Sequence, residues 1–426
     1  MTHTHETRRQ PGLAGLWRRL LLLLAVFGPA TITAMADNDA GGIATYSIAG
    51  ATLGYPILFL LIPITILLAV TQEMGMRLAV VTRKGLADLI REKHGVRVAL
   101  FMFGCLLIAN MGTLITELSA VKTTSQMLGI PGLPAVFAVV IISFLFITRG
   151  NYKLTEKIML VTCLFFLVYV FSTIKAQPDW RMALGNLVYP HGVDFTPEYM
   201  RKYLIIGMSV LGTTITPWGQ FFISSFAFDK KIEKGNLQYA RLETYWGAFL
   251  TDFFSFFMIV ATASTLFVYG LPIESGEQAA EAIKPIAGEL AGVLFAVGIL
   301  NAGFMGLVIV SLCTTYAFAE FFGISGSLND TFDKSKTFYI LFIVQLLVAT
   351  LGILVPGASL FKLAIVTQGL NAIMLPLVFF YLIRLTSSKA VMGEYANTPF
   401  QKYFAILCTI VITIAALLTV GLVFFG

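Results

Sequence analysis

The amino-acid sequence predicts an all-α membrane protein that forms one membrane-embedded domain over residues 1–426, and three observations predict this class. Of the 426 residues, 57% are hydrophobic and only 12% are charged, whereas an ordinary soluble domain is about 25% charged. The apolar residues are concentrated in runs of about 20, the length at which a helix crosses a bilayer core of roughly 30 Å. Most charged residues lie in short loops between these runs, so no room remains for an additional soluble domain.

Eleven apolar runs are separated by charged residues or by glycine and proline, and each run is a candidate transmembrane helix. The first five cover 17–175, the next five cover 203–384, and the run at 401–425 is an additional helix. In order, the eleven candidate spans lie at about 17–50, 54–82, 98–126, 132–148, 157–175, 203–227, 244–270, 287–320, 337–355, 360–384 and 401–425.

The basic residues predict how the chain is oriented. With a cytoplasmic N-terminus, most of the 29 Lys and Arg residues fall in the tail and in cytoplasmic loops, as the positive-inside rule requires. The loop near 271–289 carries four glutamates against one lysine, which is typical of an external loop. The basic N-terminal residues resemble a signal peptide, but no small-residue cleavage site follows them. We therefore expect a cytoplasmic-membrane protein with a cytoplasmic N-terminus and an external C-terminus.

Neither the charge nor the cysteines indicate another kind of partner. The net charge of +6 comes from several short loops, so we expect no nucleic acid partner. The four cysteines lie in apolar stretches without the spacing of a zinc site or a disulfide framework, and we interpret them as small buried hydrophobic residues. We expect no cofactor and a monomer surrounded by the lipid bilayer.

Two of the spans are interrupted near their middle. The first contains Asp37, Asp39 and the pair Gly41-Gly42, and the sixth contains Pro217 among threonines. Each interruption has an ordinary explanation, because proline kinks packed helices and glycines permit close helix contacts. The two interruptions nevertheless begin the two sets of five helices. This pattern predicts the leucine-transporter-like fold, in which two inverted five-helix repeats each begin with a broken helix and bind substrate between the breaks.

The carboxylates of the first break need a compensating charge. A carboxylate at membrane depth costs about 2.5–3.5 kcal/mol on insertion scales, and no Lys or Arg lies between Arg19 and Arg77. A bound cation is the simplest compensation. The alternative is that one carboxylate faces a water-filled vestibule or caps the second half of the helix, and we expect this of Asp37 rather than of Asp39.

Oxygen ligands for such a cation are available in both breaks. An unwound segment frees backbone carbonyls, and carbonyls with a carboxylate form a site for a hard cation. The second break adds the oxygens of Thr213, Thr214 and Thr216. In the tenth span, Gln368 and Asn371 lie three residues apart and so share a helical face, although amides in a helix also serve as packing hydrogen bonds.

At these residues the sequence resembles the Nramp metal-ion transporter family, and the resemblance runs from Gly28-Pro29 through the tenth span. Asp39-Ala40-Gly41-Gly42 takes the place of the family's Asp-Pro-Gly-Asn signature. Thr216-Pro217-Trp218 takes that of its Met-Pro-His. Glu117 corresponds to an acidic residue of the family's third helix. The resemblance implies a divalent-metal transporter whose ion site comprises the Asp39 carboxylate, the carbonyls of Ala36 and Thr213, and the residues Gly42, Thr216 and Gln368.

The departures from the family pattern suggest the substrate. The family's metal-binding methionine is Thr216 here and its asparagine is Gly42. A thioether favours manganese and iron over magnesium, so its loss removes the reason to reject hard ions. We expect the exchange of asparagine for glycine to enlarge the site, which suits magnesium because that ion dehydrates reluctantly. These substitutions resemble the Nramp-related magnesium transporters. Magnesium is therefore the expected substrate, as a largely hydrated ion, with manganese second.

Proton coupling is not expected. In the proton-coupled branch of the family we would expect a histidine after the proline of the sixth span, an aspartate three residues before Glu117 and arginines in the ninth span. This chain has Trp218, Leu114 and no arginine between 337 and 355. A proton pathway requires titratable groups in sequence. Glu117 remains, and Asp37 or Asp39 are still able to carry a proton.

Several other functions stay open as alternatives. These are a proton-coupled manganese or iron transporter of the Nramp type, a sodium-coupled transporter of an organic solute with the same fold, and a channel. An enzyme is not expected, because no nucleophile elbow, paired histidines or phosphate-binding glycine loop occurs. We interpret Asp252, Asn301 and Glu320 as structural residues, and 77–97 as an amphipathic segment at the cytoplasmic interface.

Overall fold

The computed structural model describes residues 32–33, 36–149, 157–158, 167–271, 273, 290–324, 326–355 and 359–425. Three predicted features lie outside the described residues: the basic N-terminal segment with Gly28-Pro29, the middle of the fifth span, and most of the acidic loop after the seventh span. Throughout the described residues the regular structure is helical.

Fifteen α-helices, labelled α1 to α15, make up the described part of the chain. A 3-10 helix, Tyr55–Leu60, leads into α2, and a π-helical turn, Ala263–Phe267, extends α10. The α-helices are Ala40–Leu53, Leu61–Thr82, Leu86–His94, Val96–Met127, Gly132–Arg149, Leu167–Lys175, Trp180–Val188, Pro197–Thr214, Pro217–Asp229, Leu237–Thr262, Leu290–Phe322, Lys336–Gly352, Leu360–Thr386, Lys389–Met392 and Pro399–Phe425.

Seven helical segments of the described chain are long and apolar enough to cross a membrane. They correspond to predicted spans 2, 3, 4, 7, 8, 10 and 11. Span 9 is the shorter apolar helix α12, and span 6 is divided into α8 and α9. Residues 32, 33 and 36 are helical before a turn that leads into α1, so span 1 is interrupted too. The chain is a multi-pass membrane protein, and the count of eleven spans stays a prediction.

The helices pack in pairs that reflect two repeats of five. Each of α1, α2 and α4 contacts the helix five spans later: α1 packs on α8, α2 on α10 and α4 on α11. An inverted repeat produces such pairs, because its symmetry axis passes between equivalent helices. The tenth span, α13, contacts α8, α4 and α1, so it lies beside both broken helices.

The outer surface of the bundle is apolar. Large hydrophobic side chains are exposed along α4, α5, α12 and α15, for example Phe101, Ile141, Leu351 and Leu417. A helix whose outer face is apolar and whose backbone bonds are internal is suited to lipid. The last helix, α15, lies mainly against α13 and is exposed over much of its length, as expected for a helix added to the two repeats.

The predicted amphipathic segment 77–97 is divided among three helices, α2, α3 and the start of α4. Its first residues complete α2, and Leu86–His94 forms the separate helix α3, which buries Leu86, Leu89 and Ile90 against the bundle. The cysteines only partly match our interpretation. Cys313 is buried, whereas Cys105 and Cys408 are half-buried.

Candidate functional site

The break in the first span lies at residues 37–39, between a helical Ala36 and the start of α1 at Ala40. Asp39 has extended backbone torsions and is the N-cap of α1. Its Oδ1 accepts a hydrogen bond of 2.6 Å from the backbone N–H of Gly42, the usual way in which an N-cap aspartate satisfies one of the free N–H groups of a first turn. The sequence Asp-x-x-Gly therefore starts the second half of the helix at this point.

Glu117 of α4 completes the N-terminus of α1. Its Oε2 accepts from the N–H of Ala40 and its Oε1 from the N–H of Gly41, both at 3.0 Å. Together with Asp39, this carboxylate satisfies three N–H groups at the positive end of the α1 dipole. Both side chains are fully buried, so two acidic groups lie close together inside the protein.

The break in the sixth span is made by Ile215 and Thr216. Both have extended torsions between α8 and α9, and Pro217 occupies the first position of α9. Proline is suited to this position because a first-turn N–H would have no helical partner. The Thr216 hydroxyl oxygen accepts a 3.0 Å hydrogen bond from the N–H of Gly219, and Thr-Pro is therefore a helix-starting pair inside the membrane.

Asp37 joins the two breaks. Its Oδ1 accepts a 3.0 Å hydrogen bond from the Thr216 hydroxyl and its Oδ2 a 3.3 Å hydrogen bond from the side-chain amide of Gln72 on α2. A second link is the 2.7 Å hydrogen bond between the hydroxyls of Tyr46 and Thr214. The broken helices consequently meet inside the protein, as the sequence predicts.

Several polar atoms converge on the Gly41-Gly42 pair. A Cβ at Gly42 would lie 2.8 Å from the carbonyl oxygen of Asp37 and 3.0 Å from the Thr213 hydroxyl, and a Cβ at Gly41 would lie 2.8 Å from Nε2 of Gln368. Either Cβ would be 3.3 Å from Oδ1 of Asp39. The glycines are thus required for the close approach of α1, α8 and α13 at this point.

Three of these side chains have buried atoms that neither donate nor accept a hydrogen bond within the protein. They are Oδ2 of Asp39, Oγ1 of Thr213 and Nε2 of Gln368. Buried polar atoms normally have partners, and those without one call for a ligand, water or ion. The side chain of Asp39 also interacts with that of Glu117, so the two acidic groups lie together at the N-terminus of α1.

Gln368 is already paired with Asn371. Its Oε1 accepts a 2.7 Å hydrogen bond from Nδ2 of Asn371, which also donates to the Thr113 hydroxyl at 3.3 Å. To offer an oxygen toward Gly41, both amides would turn over together. That rotation keeps a hydrogen bond between them, because each amide carries a donor and an acceptor.

The structure corrects two expectations. We expected Asp37 to be the capping or water-facing carboxylate, but Asp39 caps α1 and Asp37 is fully buried between the breaks. The prediction that Gly42 enlarges the site is also wrong, because the space beside it is occupied by the Asp37 carbonyl and Thr213.

The predicted ligands all lie inside the protein. Ala36 is buried directly before the turn, and Asp39, Thr213, Thr216 and Gln368 are at most 1% exposed. The Thr216 oxygen already accepts from Gly219 and donates to Asp37, which leaves one lone pair for a cation.

Sequence reasoning missed two residues that position the break. Asn38 donates to the carbonyl of Thr251 on α10 at 3.1 Å and accepts from the Ser255 hydroxyl at 3.0 Å. Gln72, on α2, contacts Asp37 as described above. Both are buried polar side chains in apolar spans. A polar residue inside an apolar span is the sequence feature that could have identified them.

The other singled-out polar residues have structural contacts. Asp252 accepts a hydrogen bond from Thr65, and Glu320 accepts from Ser225 and from the N–H of Ala87. Asn301 also has a partner. These contacts are consistent with the structural roles that we expected.

The arrangement is suited to a hard cation. Among the described residues no three His, Cys, Asp or Glu side chains come together as a metal-binding group. Apart from the carboxylates of Asp37 and Glu117, the polar groups near Asp39 are hydroxyl, carbonyl and amide groups. Oxygen ligands of this kind suit magnesium, calcium or manganese rather than softer metals.

The chain is similar to known metal transporters. The model of the Nramp family, described as natural resistance-associated macrophage protein-like, matches residues 30–421. A relative from Latilactobacillus sakei, a divalent metal cation transporter named MntH, is 25% identical over 97% of this chain and 92% of its own length.

Two solved structures have the same fold. The Eremococcus coleocola manganese transporter, in complex with an aromatic bis-isothiourea substituted compound, has a TM-score of 0.77 at 20% identity and covers 99% of this chain and 88% of its own. MhsT in complex with L-phenylalanine has a TM-score of 0.60 at 13% identity and covers 93% of this chain and 98% of its own. The leucine-transporter-like fold is confirmed.

Proposed function

This chain belongs to the Nramp family and is a membrane transporter of divalent metal cations rather than an enzyme. From that premise we propose that its main substrate is magnesium, with manganese second. The ion enters across the cytoplasmic membrane, largely hydrated, and is held by Asp39 with the carbonyls of Ala36 and Thr213 and the side chains of Thr216 and Gln368. The observation that carries this proposal is the buried Oδ2 of Asp39, which no protein donor satisfies.

The substrate follows from the ligand types. Thr216 offers a hydroxyl oxygen at the N-cap of α9, where a soft thioether would favour manganese and iron. Magnesium prefers oxygen ligands and keeps several of its waters. Since Gly42 adds no free space, room for the waters requires α1, α8 and α13 to move apart when the ion binds.

We further propose that uptake needs no proton. Leu114 and Trp218 are buried apolar side chains at positions where a proton pathway would need titratable groups. A divalent cation that moves inward across 100 mV gains about 4.6 kcal/mol, or roughly 2.3 kcal/mol per charge. The membrane potential alone is therefore sufficient to drive accumulation.

A proton-coupled manganese or iron transporter is the second candidate. The observation in its favour is that the relatives are named divalent metal cation transporters and that the structural neighbour is a manganese transporter. The buried pair of Asp39 and Glu117 is the group through which a proton would couple to the metal.

A sodium-coupled transporter of an organic solute is disfavoured by the N-terminus of α1. Such a transporter uses a free half-helix N-terminus to bind the substrate carboxylate. Here the N–H groups of Ala40, Gly41 and Gly42 are already bonded to Glu117 and Asp39, so an anionic group would meet two carboxylates.

The test is uptake by the purified protein in liposomes that contain magnesium- and pH-sensitive dyes. We expect saturable magnesium influx, driven by an inside-negative potential, with no internal acidification. Influx that needs a proton gradient would favour the second candidate, non-saturating flux would indicate a channel, and competition by amino acids would indicate the organic-solute transporter.

A further inference from the structure

A second group of unsatisfied polar atoms lies on α2 and α9, the helices whose Gln72 and Thr216 donate hydrogen bonds to Asp37. Gln72 on α2 and Gln220 on α9 are both fully buried. Oε1 of Gln72 and both amide atoms of Gln220 have no hydrogen-bond partner in the protein. An amide left unsatisfied in an apolar interior costs free energy, so two of them in one helix interface indicate a ligand that binds there.

Both glutamines belong to the contact between α2 and α9. Gln72 donates to Oδ2 of Asp37 at 3.3 Å. Gln220 follows Thr216 by one helical turn, so it lies on the same face as the residue that bonds Oδ1 of Asp37. The helices approach closely here, since a Cβ at Gly75 would lie 3.0 Å from Ile223 and 3.5 Å from the backbone oxygen of Gln220.

Among the described residues, no cationic side chain is among the groups that act on Asp37. The side-chain donors to Asp37 are the neutral groups of Thr216 and Gln72. The carboxylates of Asp39 and Asp252 are near enough to repel Asp37. A cation bound here would stabilise the ionised forms of these neighbouring acids.

We propose that Asp37, Gln72 and Gln220 form a second cation position, which the transported ion occupies after it leaves Asp39. The Asp37 carboxylate and the two amide oxygens are hard ligands for a divalent ion that keeps part of its water shell. The inference rests on the proposed transport function and extends it from one ion position to two in series.

The directions of α2 and α9 indicate on which side of the breaks the second position lies. From Gln72, α2 runs to Thr82, and from Gln220, α9 runs to Asp229, and both ends are predicted to be cytoplasmic. The second position is thus on the inner side of the breaks. Release through a weaker second position is faster than release from one tight position, for the same reason that channels bind ions at several sites.

Uptake kinetics test the second position. Gln220→Leu and Gln72→Leu keep the side-chain volume but remove the oxygen, and we expect each to lower the maximal magnesium uptake rate by about tenfold while the external KM changes by less than about twofold. That split is expected because the entry position at Asp39 is intact. Gln220→Glu keeps an oxygen ligand, and we expect it to bind Mn²⁺ more tightly and to release it more slowly.

Gln345→Leu is the matched control. Gln345 is a buried glutamine on α12 whose Oε1, like that of Gln72, has no partner. Its Nε2 donates to the Ser311 carbonyl at 2.9 Å and to the Thr315 hydroxyl at 3.2 Å rather than to a carboxylate. We expect this variant to lose thermal stability but to retain the wild-type uptake rate per folded molecule. Size-exclusion profiles and Tm identify any variant that fails to fold.

Anomalous scattering from Mn²⁺ locates the bound ion directly. A loss of folding therefore cannot be mistaken for a loss of the second position. In Asp39→Ala crystals grown with Mn²⁺, we expect a peak beside Asp37, and in Asp37→Asn crystals we expect that peak to vanish while the peak at Asp39 stays. No peak beside Asp37, or wild-type uptake by both leucine variants, overturns the second position. If the wild-type protein itself moves no divalent ion, the proposed function fails instead.

Discussion

Asp39 has two roles that substitution can separate, because one oxygen caps α1 and the other is unpartnered. Asp39→Ala removes both, and we expect it to abolish magnesium uptake and to destabilise α1 by about 1 kcal/mol through the lost cap. Asp39→Asn keeps the capping oxygen but removes the charge, so it should keep the wild-type Tm and still lose uptake. Liposome flux and Tm measure both effects. Uptake by folded Asp39→Asn would exclude the carboxylate as the ion ligand.

Thr216 determines how soft the site is, so Thr216→Met should shift selectivity from magnesium toward manganese. We expect the ratio of manganese to magnesium uptake to rise by about tenfold, because a thioether favours the later transition metals. The same change removes the cap to Gly219 and the bond to Asp37, at a stability cost of about 1 kcal/mol.

Thr216→Ser is the control for this prediction, because it keeps the hydroxyl and both hydrogen bonds. We expect its selectivity to equal that of the wild type in competition assays with the two ions. An unchanged selectivity in folded Thr216→Met would mean that the ion does not contact residue 216.

At the scale of helices, the site depends on the close contact between α8 and α13. A Cβ at Gly212 would clash with the backbone oxygen of Gln368, so Gly212→Ala forces the two helices apart beside Thr213 and Gln368. We expect Tm to fall and uptake to be lost, because overpacking typically costs about 1–3 kcal/mol.

Gly104→Ala on α4 is the matched control for the helix contact. No atom lies within 4 Å of a Cβ at that glycine, and alanine restricts the unfolded chain. We expect the free energy of unfolding to stay the same or to rise by about 1 kcal/mol, and uptake to be normal. A loss of uptake in Gly104→Ala as large as that in Gly212→Ala would contradict the packing explanation.

At both breaks, polar groups form hydrogen bonds with residues from distant parts of the chain. Glu117 reaches the N-terminus of α1 across 77 residues, and Thr216 reaches Asp37 across 179. Because these bonds connect separate helices, a movement of α9 relative to α1 must break or replace the contact of Thr216 with Asp37. This contact is therefore expected to change as the site opens toward one side of the membrane.

At the scale of the whole molecule, a buried ion pair joins distant parts of the chain near the predicted cytoplasmic face. Glu73 on α2 contacts Arg77 at 2.8 Å, Arg241 on α10 at 2.8 Å and Gln401 on α15 at 3.1 Å. Arg77 also donates to Asn397 at 2.7 Å. This network connects both repeats with the additional helix.

Glu73→Gln should destabilise the protein strongly. It leaves Arg77, which is 1% exposed, without its counter-charge, and breaking a buried pair costs about 3–5 kcal/mol. Arg241→Gln is the control, since that side chain is 37% exposed and an exposed pair contributes about 1 kcal/mol or less. Tm in detergent measures the difference, and equal Tm values for the two variants would contradict the expected role of Arg77.

The sequence alone determined the membrane class, the two interrupted helices and the residues that form them. These features are local, because apolar run length reports helix length and Asp, Gly and Pro disrupt a helix where they occur. The number of spans, the orientation of the termini and the choice of magnesium stay predictions.

Only the tertiary structure decided what each polar group in the breaks contacts. It shows that Asp39 rather than Asp37 caps α1, that Glu117 shares this task, and that Gly42 is tightly packed. Such contacts join residues far apart in sequence, and they depend on how helices pack and rotate. Hydrophobic periodicity constrains that packing only to a face, whereas a hydrogen bond requires placement within a few tenths of an ångström.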